Sequence, residues 1–149
     1  MSELLIEARG AVEIATLNRP DRLNALNEAL VDELNAYFGG LAERPDVRVV
    51  ILRGAGRGFC AGLDIQEDRS LDETPVLRTL RTQTRIGNIY RKMRACPQPI
   101  IALGHGAAAG GGLSLLLASD VRYAAPSFKA NAAYIRIGLG GCDMASSYF

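Results

Sequence analysis

Three consecutive glycines, Gly110-Gly-Gly112, stand directly before the apolar run Leu113-Ser-Leu-Leu-Leu-Ala118. Glycine costs backbone entropy, so three of them at a helix start need a reason. A helix N-terminus leaves its first N–H groups without internal partners, and the aligned peptide dipoles add partial positive charge. Without β-carbons in the way, a ligand oxygen can approach those N–H groups closely. The arrangement suits a phosphate or a developing oxyanion. Tight packing of the helix against a strand calls for small residues equally well, so both readings stand at this point.

A second glycine-rich stretch, Gly54-Ala-Gly-Arg-Gly-Phe-Cys-Ala-Gly-Leu-Asp-Ile65, follows the β-branched run Val47-Arg-Val-Val-Ile-Leu52. A dinucleotide loop also follows a strand. This one lacks the Rossmann glycine spacing, no long helix follows at once, and there is no Lys-Ser/Thr pair for a phosphate loop. It reads as a plain loop. The single histidine, His105, rules out a multi-histidine metal site, and it reads as a structural hydrogen-bonding residue. Cys60, Cys96 and Cys142 are odd in number and have no metal-knuckle spacing, which suits reduced thiols in a cytoplasmic protein.

The elements that must hold these loops follow from periodicity. Leu4-Leu-Ile6 and Val12-Glu-Ile-Ala-Thr-Leu17 read as two strands of a hairpin turning at Arg9-Gly10. Leu26, Leu30, Leu34 and Phe38 recur at helical spacing, with Asn24 or Asn27 as cap and Gly39-Gly40 as the end. Val47–Leu52 and Ile100-Ile-Ala-Leu103 read as buried strands, and Asp120-Val-Arg-Tyr-Ala124 as a further one. Thr74-Pro75 opens a long helix to Ala95. Its apolar side is Leu77, Leu80, Ile86, Ile89, Tyr90 and Met93, and its arginines 78, 81, 85, 91 and 94 read as a solvated face. Residues 59–75 and 104–112 read as loops. The repeated order of strand, loop and helix makes this an α/β chain.

The chain has 149 residues, with 17 basic and 16 acidic ones, for a net charge of +1. That balance argues against nucleic acid as a main partner. No apolar run is long enough to span a membrane. The start, Met-Ser-Glu-Leu-Leu-Ile-Glu, places acids where a signal peptide needs bases, so a cytoplasmic location is expected.

Three blocks taken together resemble the crotonase superfamily, the enoyl-CoA hydratase/isomerase family. They are Leu23-Asn-Ala-Leu26, Phe59-Cys-Ala-Gly-Leu-Asp-Ile65, and Gly106-Ala-Ala-Ala-Gly-Gly-Gly112 followed by Ala118-Ser-Asp120. The resemblance runs from about residue 3 to the end of the chain. It implies a spiral of ββα units, assembled as trimers or pairs of trimers. It also implies an acyl-CoA thioester as ligand, with no separate cofactor because CoA is part of the substrate. The thioester oxygen would be held by the N–H groups of Leu63 and Gly111. Arg22, Leu23, Ala61, Asp64 and Ile65 would lie along the substrate, with Gly110, Ser114 and Tyr134 at its acyl end.

Two positions depart from the family pattern. Hydratases of this family use two glutamates, and here Ser114 and Tyr134 stand in their places. Neither side chain acts unaided as a base near neutral pH. Asp143, in Gly140-Gly-Cys-Asp143, is the remaining carboxylate candidate for acid/base chemistry, with a surface or capping aspartate as the plain alternative. Asp64 and Glu67 read as surface-loop carboxylates, and Asp120 as the residue that ends the short helix or ties a loop. Gly104 stands where the family has an apolar residue. The chain ends soon after a glycine-rich loop, so residues 1–149 are expected to be the N-terminal part of a single crotonase-like domain, with the spiral incomplete. Uncovered sheet edges and helix faces would then make it oligomeric or poorly soluble.

Overall fold

The computed structural model describes residues 2–66 and 74–134. Glu67, Cys142 and Asp143 lie outside the described residues. Strands β1 (Leu4–Arg9) and β2 (Val12–Leu17) form an antiparallel hairpin whose turn carries Gly10. Three further strands add in parallel: β3 (Val49–Gly54), β4 (Ile100–Gly104) and β6 (Val121–Ala124). The sheet order is β1-β2-β3-β4-β6. A smaller sheet pairs β5 (Ala107–Ala109) with β7 (Lys129–Asn131), also in parallel. Isolated bridges extend this second layer, joining Cys60 to Ala108 and Leu26 to Leu63.

The two layers give the chain a repeating path. Each pass contributes a strand to the large sheet, then a short segment to the second layer, then a helix. The first pass ends in α1 (Glu28–Gly40), the second in α2 (Pro75–Ala95) and the third in α3 (Gly111–Ala118). This is the expected spiral of ββα units. The strand β5 was not expected, because three alanines offer neither alternation nor β-branching. Its pairing with β7 and Cys60 makes it a strand.

Helix α1 buries Leu30, Val31, Leu34 and Phe38, and its cap is Asn27, whose side chain accepts the Leu30 N–H at 3.0 Å. Helix α2 buries Ile86, Ile89, Tyr90 and Met93, but Leu77 and Leu80 are 54% and 62% exposed, against expectation. The cross-contacts explain this. Arg81 and Arg85 meet Glu28 at the start of α1, and Lys92 meets Asn35 and Gly39 further along. The two helices run side by side in the same direction, so the first turns of α2 overhang the start of α1. The arginine face also differs from expectation. Arg85 pairs with Asp32 and Glu28, and Arg94 pairs with Asp120 at 2.5 Å, so both tie elements together. Asp120 in turn accepts the Ile100 N–H at 2.9 Å and anchors the start of β4.

One buried side chain organises the turn between β2 and α1. Leu23 and Asn24 both have positive φ, 50° and 54°. Asparagine tolerates that region better than most residues. The Asn24 amide is fully buried and donates to the carbonyls of Ala55, Gly58 and Phe59 at 2.8, 2.9 and 3.2 Å. Its Oδ1 accepts the Arg19 N–H at 2.8 Å. A lost partner of this kind leaves buried polar groups unsatisfied, at about 1–3 kcal/mol each. Asn24→Ala is therefore expected to lower stability by about 3 kcal/mol or more in denaturant titrations. A loss below about 1 kcal/mol would show that the loop is held by other contacts.

Candidate active site

The segment after β3 and the segment before α3 lie backbone against backbone. Cys60 donates its N–H to Ala107 and accepts from Ala109, at 3.1 and 3.0 Å. A β-carbon on Gly112 would fall 2.2 Å from the Cys60 carbonyl oxygen, so only glycine fits there. Gly62, at φ 88°, brings its α-carbon beside the next glycine loop, where a β-carbon would lie 2.6 Å from the Ala109 oxygen and 3.4 Å from the Gly111 nitrogen. The packing reading of the glycine triplet holds at Gly112. Gly112 serves packing, while Gly110 takes a positive φ and donates to the Asn131 carbonyl. Gly111 starts the helix, and its carbonyl accepts the Tyr90 hydroxyl at 3.0 Å.

Leu63 sits in the facing loop, fixed on both sides. Leu26 donates to the Gly62 carbonyl at 2.7 Å, and Asp64 donates to the Leu26 carbonyl at 3.0 Å. Among the described residues, neither the Leu63 N–H nor the Gly111 N–H meets an acceptor. The close approach of Gly62 to the Gly111 nitrogen puts these two donors in one neighbourhood.

Leu63 also separates two clefts. One is broad, lined by Arg22, Leu23, Ala61, Leu63, Asp64 and Ile65 together with Asp21, Ala25, Arg57 and Gln66. Six of the sequence-derived positions therefore converge on a single surface. The other is a recess of only about 10 Å³, with Leu26, Val31, Leu63 and Ile86 on one part of its wall and Asn27, Glu28, Thr82 and Arg85 on the rest. Leu26 and Ile86 are also the neighbours that a β-carbon on Gly111 would meet.

The remaining sequence-derived positions lie elsewhere. Ser114 is fully buried on α3, and its hydroxyl bonds the Gly110 carbonyl at 3.3 Å, back along its own helix. Tyr134 is half-buried, three residues beyond the Asn131 carbonyl that holds Gly110. Neither lines the two clefts. The His105 ring bonds the Gly56 carbonyl at 2.9 Å and so links the two glycine-rich loops. Cys60 is fully enclosed, and burial pushes its thiol up to about 12, which suits packing rather than nucleophilic work. Among the described residues, no group of three or more His, Cys, Asp or Glu could hold a metal, and no helix is long and apolar enough to cross a membrane.

Asp64 corrects the sequence reading. It is only 4% exposed and pairs with Arg19 and Arg22, both at 3.0 Å. Arg19 continues to Glu3 at 3.2 Å and also donates to the Ala25 carbonyl. No local pattern signals Arg19, the Asn24 clamp or the Tyr90–Gly111 contact, because each depends on segments distant in the chain. Burial opposes ionisation of Asp64, but hydrogen bonds from Arg22, the Gln66 N–H and Arg19 outweigh it and hold the carboxyl below its ordinary range. Asp120 behaves likewise, with the Ile100 N–H and Arg94 outweighing burial. For a carboxyl depressed in the folded state, the stabilisation is complete above the unfolded value of about 4 and is lost as pH falls through the folded value. Folding stability should thus stay level above about pH 5 and fall on acidification below about pH 4, less steeply in an Asp64→Asn/Asp120→Asn variant. An identical acid limb in that variant would assign the loss to other groups.

Comparison with known proteins bears on what this arrangement does. The chain is 38% identical over 144 residues to a probable enoyl-CoA hydratase of Mycobacterium leprae, covering 94% of this chain and 49% of that protein. It is 36% identical over 141 residues to 1,2-epoxyphenylacetyl-CoA isomerase of Escherichia coli, covering 93% and 53%. A crystal structure of an enoyl-CoA hydratase from Mycobacterium smegmatis superposes with a TM-score of 0.86 at 33% identity, covering 97% of this chain and 56% of that one. The chain spans about half the length of the curated relatives it matches. The family model for enoyl-CoA hydratase/isomerase matches residues 7–146, and with the ββα spiral and the apposed glycine loops it makes this chain a member of the enoyl-CoA hydratase/isomerase family.

Proposed function

We propose that this chain binds an acyl-CoA thioester and polarises its carbonyl with the N–H groups of Leu63 and Gly111. One observation carries the reading. Two backbone donors that meet no acceptor among the described residues lie on loops that touch where Gly62 approaches the Gly111 nitrogen, and Leu63 borders a cleft that carries Arg22 and Arg57. The phosphate-bearing part of CoA suits the cleft with Arg22 and Arg57. Removing an α-proton from a thioester moves negative charge onto the carbonyl oxygen. Donors fixed beforehand at that oxygen stabilise the enolate without reorganising. Enolate-forming addition or double-bond movement is the chemistry this supports.

A proton-transfer group is then needed. Ser114 is occupied within its own helix and Tyr134 is no base at neutral pH, so we assign that role to Asp143, on the sequence alone. A second reading, acyl-CoA binding without turnover, is favoured by the same two replacements. The family likeness supports assembly as trimers or pairs of trimers, and the free thiols of Cys60 and Cys96 suit a reducing, cytoplasmic setting.

Calorimetric titration tests the binding reading. A butyryl-CoA thioester should bind more tightly than its thioether analogue, which lacks the carbonyl. The difference should be roughly 5- to 150-fold, the worth of two hydrogen bonds at about 0.5–1.5 kcal/mol each. Equal affinities would remove the Leu63 and Gly111 donors from the site. Turnover separates the two readings. Asp143→Asn should lower any isomerase or hydratase rate by about 10²-fold or more while leaving affinity intact, and an unchanged rate would place the chemistry elsewhere.

A further inference from the structure

We propose that the hydroxyls of Tyr90 and Ser114 are positioning groups for the Gly111 donor, clamping the two carbonyls that flank its N–H. The inference rests on the acyl-CoA reading and deepens it, by naming what holds one of the two donors still. The need for a clamp is physical. Helix α3 has only eight residues and opens on glycines. Its cap residue, Gly110 at φ 48°, has no side chain with which to hold the first turn. A donor stabilises developing charge best when its direction is set beforehand.

The carbonyls on either side of the donor supply that direction. The peptide joining Gly110 to Gly111 is planar, so its C=O and the Gly111 N–H point opposite ways from one rigid unit. The Gly110 carbonyl accepts the Ser114 N–H at 3.1 Å and the Ser114 hydroxyl at 3.3 Å. A hydrogen bond to an amide oxygen also polarises the N–H of the same amide, so the serine both orients the donor and strengthens it.

The Gly111 carbonyl, on the next peptide, accepts the Tyr90 hydroxyl at 3.0 Å. This second hold comes from α2, outside the helix, and Tyr90 is fully buried. A β-carbon on Gly111 would lie 3.0 Å from the same hydroxyl oxygen, so the glycine and the tyrosine fit as a pair. Packing alone would be met by phenylalanine, which could not reach the carbonyl. Gly110, Gly112 and Ser114 are buried, and within the triplet only Gly111 is partly exposed.

Tyr90→Phe and Ser114→Ala each remove one hydroxyl and keep the Leu63 and Gly111 N–H groups. Calorimetric titration of each variant compares butyryl-CoA with its thioether analogue, which has no carbonyl to hold. The preference for the thioester should fall by about three- to twelvefold, within the worth of one hydrogen bond, while thioether affinity stays within about twofold. A merely structural hydroxyl would lower the melting temperature or weaken both ligands alike, and the ratio would not move. An unchanged ratio in either folded variant, with the unaltered chain preferring the thioester, overturns the clamp and leaves the acyl-CoA reading standing. Ser114→Ala, which places a better helix former in α3, decides the matter if Tyr90→Phe does not melt cooperatively. Equal affinities of the unaltered chain for the two ligands overturn both.

Discussion

The structure depends on the contact between two backbones with no side chains between them. The segment through Cys60 and Gly62 runs directly against Ala107–Gly112, at distances where a β-carbon on Gly62 or Gly112 would overlap a carbonyl oxygen. Such contact exchanges side-chain packing for donor placement. It makes the second layer of the spiral thin, and it puts the N-terminus of α3 beside the loop that carries Leu63. The Asn24 amide holds the first segment from below, and His105 links the turn at Gly56 to the glycine loop. The site is therefore a consequence of how the layers close. No part of it is an addition to the fold.

Charge is arranged around this contact in one direction. Glu3, Arg19, Asp64 and Arg22 form a chain of ion pairs that begins under the first strand and ends at the rim of the polar cleft. Asp64 is the pivot. It is adjacent to Leu63, its N–H is held by Leu26, and its carboxylate orients two guanidiniums. Breaking a buried pair by removing one partner leaves an uncompensated charge, so this chain couples the loop geometry to the Arg22 side of the cleft. On the other side of Leu63 a small recess mixes Leu26, Val31 and Ile86 with Asn27, Glu28, Thr82 and Arg85. Leu63 thus borders both the polar cleft and the small recess between α1 and α2.

Much of this was legible in the sequence, and the failures have physical causes. The hairpin, the buried strands and both long helices follow from apolar spacing, with Asn27, Thr74 and Gly10 as punctuation. The glycine triplet and the Phe59–Ile65 block marked the loops that meet. Strand β5 escaped notice because its identity lies in its pairing, not its side chains. Leu77 and Leu80 have helical spacing but are exposed at their end of α2, since periodicity reports a face and not what covers it. Asp64 looked like a loop acid because nothing local announces Arg19 and Arg22 as partners. Asn24 looked like a cap, and its three acceptors lie 31 to 35 residues away.

The central claim is that two fixed backbone donors, at Leu63 and Gly111, take hold of a thioester oxygen. Infrared difference spectroscopy of bound acyl-CoA, with ¹³C at the thioester carbonyl, reads that interaction directly. Two charge-stabilising donors weaken the carbonyl bond, so the isotope-edited stretch should move to lower wavenumber on binding and narrow as the oxygen becomes fixed. A bound ligand whose carbonyl stretch stays at its solution position and width would contradict the claim, because the oxygen would then lie outside the reach of both N–H groups.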